Sequence, residues 1–496
     1  MRGRIKSELS YEMCEYIGKP AITEENARSF GNMSELNYAH VLMLMDQKII
    51  DKVDGIKILK ALHEIYNAGA SAIEIHPEYE DYYFNIEKIV IAKAGMEVGG
   101  KMHTARSRND LGTTLLRMNV RDAAMRVIPR LVKLEKVILK MAAENQNTIM
   151  TGYTHMQPAQ PISLGYYLCA VAQTLERDIQ RLEAALERMN YCTLGSCAFA
   201  GTSFPVDRQK VASDLGFYGP VYNSMDAIAA RDYIQELTAA YTILSTNLSR
   251  LCADFYYWST DEFGYFELDD SFAVCSSIMP QKKNPVPFEY VRAKSGHMLA
   301  AFTSVTMALK GIAFGHNRDG GGEAPHMFWD ATDQMVASLE LLSGTLSTIN
   351  VRKERMLYRV NANFCTVTEL ADRLVKEEGM PFRVAHEIVA EVVCNCVENG
   401  KTCLDIDSAL LDRYAEQHAG RKLGWDDAKI RYTLDAESSV LGKHSYGACA
   451  PEECSAMIET VSKNVQDGET RFNAFESLVT DSLDALRRKV ADVIGE

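Results

Sequence analysis

Paired cysteines are missing from this sequence. Its 12 cysteines are scattered singly through 496 residues, with no Cys-x-x-Cys pair and no matching histidine spacing. The one close pair, Cys394 and Cys396, reads as packing rather than ligation. No metal is expected, and the thiols read as reduced and mostly buried, as in a cytoplasmic protein. Long apolar runs are also missing. His297 and Lys310 border or interrupt the best candidate, so no segment is expected to span a bilayer. Residues 1–8, Met-Arg-Gly-Arg-Ile-Lys-Ser-Glu, lack the apolar core of a secretory signal. Positive charge is in deficit, with 53 Lys and Arg against 67 Asp and Glu and a net charge of −14. That balance argues against nucleic acid as a partner, because binding a phosphate backbone needs clustered cations. A small anionic substrate remains compatible, since a few local cations outweigh distant surface charge. Strand signals are rare, and strong internal repeats and low-complexity tracts are absent.

What is present is helical periodicity. Val127, Leu131, Leu134, Ile138 and Met141 recur at steps of three and four. Leu164, Leu168, Leu175, Ile179, Leu182 and Leu186 do the same, as do Ile234, Leu237, Tyr241, Leu244, Leu248 and Leu251. Phe288, Val291, Met298, Phe302, Val305 and Leu309 continue the pattern. Sustained periods of this kind predict several long amphipathic helices, hence a bundle. Pro129 is expected to bend the first. The length exceeds one compact core. The predicted organisation is all-α in three domains: shorter helices over 1–105, a long-helix bundle over 106–355, and shorter helices again over 356–496. Helices are expected to start at Tyr38 and to run over Asp54–Tyr66, Glu369–Glu378 and Arg383–Glu398, the last ended by Asn399 and Gly400. The acidic, aromatic stretch Pro77–Phe84 reads as a loop running into a helix, with no legible role.

The most unusual stretch is Ser276-Ser-Ile-Met-Pro-Gln-Lys-Lys-Asn-Pro-Val-Pro-Phe-Glu289. Prolines push Met279 and Asn284 out of helical geometry, so the polar groups sit on a loop before a long helix. Pro285 is expected as the first helical residue, with Asn284 capping it. A loop hydroxyl beside a fixed cation and an amide suits proton abstraction: the hydroxyl takes the proton, and Lys282 and Asn284 hold the charge that develops. The bland alternative is a basic turn capping a helix. A second polar run, His103-Thr-Ala-Arg-Ser-Arg-Asn-Asp110, can bind a carboxylate through Ser107 and Asn109, with Arg106 or Arg108 supplying charge. Alternatively it is a solvated helix start capped by Thr104 or Ser107. A third, Thr151-Gly-Tyr-Thr-His-Met-Gln-Pro-Ala-Gln-Pro-Ile162, places Thr154 and His155 before a helix expected to start near Ile162.

Together these segments resemble the argininosuccinate lyase branch of the fumarase/aspartase superfamily. Supporting matches lie at Gly195–Arg208 and Asn223–Asp232, so the resemblance runs from about residue 100 to 320 in the family's order. It implies a homotetramer with composite active sites, each built from segments of different subunits. It also implies β-elimination of an amine from an N-substituted aspartate, releasing fumarate, with no cofactor. Ser276 is carried over as the base, with Lys282 and His155 hydrogen-bonded to Glu289 as the other catalytic groups. Ser107, Arg108, Asn109, Thr154, Ser277, Asn284 and His316 are carried over as substrate-binding positions.

The sequence departs from the family at the substrate's amine end. His316 precedes Asn317-Arg-Asp319 where a tyrosine is usual, and Gly321 and Ala324 stand where a glutamine and a lysine are usual. Ala105 and Leu111 replace a glycine and a glutamine around the second run, and Asn37 replaces a serine. The elimination half is intact while the amine-end half is altered, which implies an amine other than arginine alone. Alternatives within the superfamily are an aminopolycarboxylate, such as a diamine disuccinate, or adenylosuccinate. The Gln-Lys-Lys form of the loop opposes adenylosuccinate. A non-catalytic relative, of the kind the delta crystallins exemplify, ranks below these because Ser276, His155 and Lys282 are all present.

Overall fold

The computed structural model describes residues 7–496. Five long helices form its centre: α5 (Ile128–Glu144), α6 (Leu164–Met189), α7 (Asp232–Trp258), α8 (Val286–Leu309) and α9 (His326–Thr348). Each packs on the next, and α9 returns to α5. The apolar positions read from the sequence are the ones that meet. Leu131, Leu134, Ile138, Leu168, Leu175, Ile179, Leu237 and Leu244 share one buried core. Each such leucine removed from water contributes about 1.5–3 kcal/mol, which is what holds helices of modest intrinsic preference in place.

In the N-terminal part, α1 (Lys19–Asp46), α2 (Lys52–Ala68), α3 (Tyr82–Ala94) and α4 (Arg108–Met125) surround a second core. A third core lies among α10 (Val367–Glu378), α11 (Phe382–Glu398), α12 (Ser408–Ala419) and α13 (Asp427–Leu434). The chain ends with α14 (Pro451–Ile494). Among the described residues no helix is long and apolar enough to cross a membrane.

Several expectations are corrected. The helix expected to start at Tyr38 is the second half of α1, which is 28 residues long. Pro129 does not bend a continuous helix. It occupies the first turn of α5, where its missing N–H costs nothing, and the chain breaks at Arg126 and Val127 instead. The C-terminal part is not only short helices, because α14 has 44 residues. Its buried positions, Cys454, Val461, Val465, Phe472, Val479 and Leu486, are sparse within a charged sequence, which hid the period. The first four of these join the central core and the last two the N-terminal core. Gly468 sits where a Cβ would come 3.3 Å from Glu183 Oε1, so glycine permits α14 to lie close on α6.

Three two-stranded antiparallel sheets shape the site: β1 (Ile149–Thr154) with β2 (Gln157–Ser163), β3 (Phe266–Glu267) with β6 (Asn350–Val351), and β4 (Val274–Cys275) with β5 (Lys283–Asn284). The first was expected only as the entry to a helix starting near Ile162. It is a hairpin, and α6 starts at Leu164 rather than near Ile162, with the Ser163 side chain accepting from Tyr166 N–H. Asn284 is not a helix cap. It ends β5 opposite Val274, Pro285 takes the cap position, and α8 begins at Val286.

Candidate active site

The serine loop is a hairpin loop clamped at both ends. Cys275 pairs with Lys283, leaving 276–282 as the connection. An aromatic cluster fixes its base. Phe255 of α7 stacks on Phe266 at 4.4 Å and packs on Phe288 of α8 at 5.6 Å between ring centres. Ser276 Oγ accepts from the backbone N–H groups of Ile278 (3.3 Å) and Met279 (3.0 Å). Two donors aimed at one hydroxyl oxygen favour its deprotonated form. The adjacent lysines do different work. Lys283 Nζ is tied to Glu267 (3.2 Å), Asp270 (2.8 Å) and the Leu268 carbonyl (2.8 Å), which anchors the loop. Lys282 is exposed, and its side chain has no hydrogen-bond or ion-pair partner among the described residues. Ser277, Asn284 and Glu289 likewise make no side-chain hydrogen bond there.

The second run is held by residues that sequence reasoning left without a role. Ser107 caps α4 and forms a reciprocal capping box with Asp110. Asp110 is fully buried, and its carboxylate accepts from the N–H groups of Ser107 (2.9 Å), Gly195 (2.9 Å) and Cys197 (2.8 Å). Burial pushes it up to about 6 against the pull of those three donors, so it is ionised at neutral pH. It thereby joins the Ser107–Asn109 patch to the Gly195–Arg208 stretch, and Asn109 adds a bond to the Ala198 carbonyl (3.0 Å). Asp110→Ala would leave three buried or partly buried N–H groups without that acceptor. The expected loss is about 3 kcal/mol or more of stability, with a raised KM, read by thermal unfolding and steady-state kinetics.

The acidic, aromatic stretch Pro77–Phe84 now has a function. Glu80 (3.2 Å) and Asp81 (2.8 Å) pair with Arg108, whose guanidinium lies 4.5 Å over the Phe84 ring. Tyr83 OH receives Arg106 Nη2 at 3.0 Å and meets His103 Nδ1 at 3.0 Å. Arg108 is therefore already neutralised and supports the patch rather than offering a bare cation. Burial and the nearby arginines hold His103 down to about 4, hence neutral at physiological pH. Ala105, where glycine is usual, has φ 59°, a left-handed conformation that disfavours any side chain and accounts for the glycine.

His155 occupies the tip of the β1–β2 hairpin. His155 and Met156 have φ 53° and 58°, the two central positions of a tight two-residue turn. Asparagine and glycine take these positions at least cost. Histidine and methionine there store strain of about 1 kcal/mol each, a cost compatible with presenting an exposed imidazole. Thr154 precedes it, also exposed. The expected bond between His155 and Glu289 is not formed within one chain, and no hydrogen bond or ion pair joins these two among the described residues. Nor does one join the site residues of any of the three segments to those of another.

His316 borders a cleft of about 480 Å³. Glu24, Glu25 and Arg28 of α1 form one side, and Arg231, Gly321 and His326 lie on others. Partial burial and the guanidinium groups of Arg231 and Arg108 hold His316 below the usual histidine range. Gly321 lines the cleft, whereas Ala324 is buried at 1 % exposure and does not.

Comparison with known proteins gives the family of the chain. The family described as Lyase matches residues 34–299, and the one described as Argininosuccinate lyase C-terminal matches residues 364–441. The chain is 39% identical over 472 residues to argininosuccinate lyase of Methanococcus aeolicus, covering 95% of each. It is 36% identical over 473 residues to argininosuccinate lyase 1 of Shouchella clausii, again covering 95% of each. Among solved structures, EDDS lyase in complex with formate superposes with a TM-score of 0.87 at 30% identity, over 99% of this chain and 97% of that one. Class II fumarase from Schistosoma mansoni shares the fold, with a TM-score of 0.67 at 18% identity over 83% of this chain and 90% of that one. The chain belongs to the argininosuccinate lyase family of the fumarase/aspartase superfamily, and it is a carbon–nitrogen lyase.

Proposed function

We propose that this lyase eliminates an amine from an N-substituted aspartate and releases fumarate, with Ser276 as the base. The observation that carries this is the Ser276 Oγ held under two backbone N–H groups, with unpaired Lys282 on the same loop. Ser276 takes the proton from the carbon next to the substrate's β-carboxylate. The electron pair left behind spreads into that carboxylate, where Lys282, Asn284 and loop N–H groups stabilise it. The carbon–nitrogen bond then breaks, its electrons leave with nitrogen, and nitrogen receives a proton. His155, paired with Glu289 of another subunit, supplies or orients that proton. Ser107, Asn109, Thr154 and Ser277 hold the carboxylates. No cofactor is needed for these steps, and the setting is the cytoplasm.

The assembly is a homotetramer with shared sites. Among the described residues the three segments make no bonds to each other's site residues within one chain. The central helices also leave apolar side chains uncovered, with Leu299 54% and Met307 63% exposed on α8. Mixing inactive Ser276→Ala protein with inactive His155→Asn protein, followed by subunit exchange, is expected to restore a measurable fraction of activity. No recovery after verified exchange would refute shared sites. Fumarate release, followed by ultraviolet absorbance across a panel of N-substituted aspartates, tests the reaction itself. The likeness to EDDS lyase favours including diamine disuccinates in that panel.

A further inference from the structure

Prolines deprive the β1–β2 hairpin of part of its own ladder. Pro158 lies opposite Tyr153 and Pro161 opposite Thr151, and neither has an N–H to donate. The register also breaks between Thr151 and Tyr153, where a Cβ at Gly152 would come 2.8 Å from the Gln160 carbonyl oxygen. Beyond that break, residues 154–158 are exposed. The turn at the tip holds His155 and Met156 at φ 53° and 58°, which neither side chain favours. A strained tip on a weakened ladder does not by itself keep an imidazole in one orientation.

Tyr153 supplies what the ladder lacks. Among the described residues it is the one member of 153–158 whose side chain hydrogen-bonds to another part of the chain. Its Oη lies 2.8 Å from the Oη of Tyr265, and its ring packs edge-on against Phe263 at 5.8 Å between centres. The far end of this link is fixed. Tyr265 has no exposed surface and belongs to the central core. Its N–H donates to the Trp258 carbonyl (2.9 Å), and its own carbonyl accepts from the Arg352 N–H (2.9 Å). The Phe263 carbonyl accepts from Arg355 Nε at 3.0 Å. Burial and the partner hydroxyl push the Tyr153 phenol above the ordinary tyrosine range, so it stays a neutral hydroxyl at physiological pH.

We infer that Tyr153 and Tyr265 are positioning residues, their paired hydroxyls forming a strut that fixes the hairpin tip and with it the His155 imidazole. They act on the reaction only through His155. The inference therefore rests on the reading of His155 as the group that serves the leaving nitrogen, but the strut itself can be measured without turnover.

The test compares Tyr153→Phe, Tyr265→Phe and the double variant in the full-length enzyme. Phenylalanine keeps each ring and removes only its hydroxyl. Each single variant strands the other hydroxyl and should lower the melting temperature by about 2 °C, whereas the double variant strands neither and should melt close to wild type. Turnover should not recover in parallel. With argininosuccinate and a diamine disuccinate as substrates, kcat should fall about tenfold in all three variants, with KM within about twofold. Hydrogen exchange of the 151–160 peptide, followed by mass spectrometry, should be about tenfold faster in all three, with the peptides of α6 and α7 unchanged. A kcat that returns with stability in the double variant overturns the positioning role. Exchange as slow as wild type in a folded Tyr153→Phe protein overturns the strut and leaves the lyase reading standing. Faster exchange in a protein whose His155→Asn variant is as active as wild type does the reverse: the strut stands, and the role of His155 in the reaction falls.

Discussion

Ser276→Ala is expected to lower kcat roughly a thousandfold, within the range for removing a positioned general base, while the melting temperature and assembly stay unchanged. The fold does not depend on this hydroxyl. Its Oγ accepts only from two N–H groups of its own loop. The loop is held from outside by the Cys275–Lys283 pairing, by Lys283 on Glu267 and Asp270, and by the aromatic cluster of Phe255, Phe266 and Phe288. Alanine therefore opens no cavity in the core. The neighbouring Ser277 is the control. It is exposed and its hydroxyl lacks those donors, so Ser277→Ala should lower kcat by about tenfold at most. Circular dichroism, size-exclusion chromatography and fumarate absorbance are the measurements. An Ser276→Ala enzyme retaining a tenth of its turnover would move the base elsewhere.

The three segments were legible because each concentrates polar groups where prolines or caps break a long apolar period. The same logic read α6, α7 and most of α8 from leucine and aromatic spacing alone. What stayed illegible depended on distant partners. Asp110 looks like one more helix-start acid until Gly195 and Cys197 bring it their N–H groups. Glu80 and Asp81 look like surface charge until Arg108 closes on them. The hairpin around His155 violates the usual turn chemistry, since neither His155 nor Met156 favours a positive φ, so no local signal announced it. The length of α14 was masked because it buries only a narrow stripe, and its two halves serve different cores. Arg231 falls within a stretch quoted as a family match, but that no carboxylate among the described residues pairs with it is visible only in three dimensions. The His155–Glu289 pairing is a different case: no bond joins the two among the described residues, and the composite site proposed above would place them on separate copies of the chain.

Glu135→Gln is expected to stabilise the protein by about 3 kcal/mol at pH 7. Glu135 lies on α5 with no exposed surface, and neither carboxyl oxygen has a hydrogen-bond partner among the described residues. Burial, with Glu176 and Asp178 adding repulsion, pushes its carboxyl up to about 8 from the ordinary 4.5. The folded state therefore keeps a proton that the unfolded state gives up. With the folded value above the unfolded one, this residue's contribution is most favourable below about pH 4.5 and is lost progressively as pH rises towards 8. Glutamine has nearly the same volume and no charge to lose, so it removes the titration without opening a cavity. Its amide is left as poorly bonded as the neutral acid was, so the gain is the ionisation cost alone. Wild type and variant should thus unfold nearly together at pH 4, and the variant should pull ahead as pH is raised to 8. Thermal or urea unfolding at those two pH values measures the difference. A variant less stable than wild type at pH 8 would mean that the carboxylate finds a cationic or hydrogen-bonding partner in the assembled enzyme.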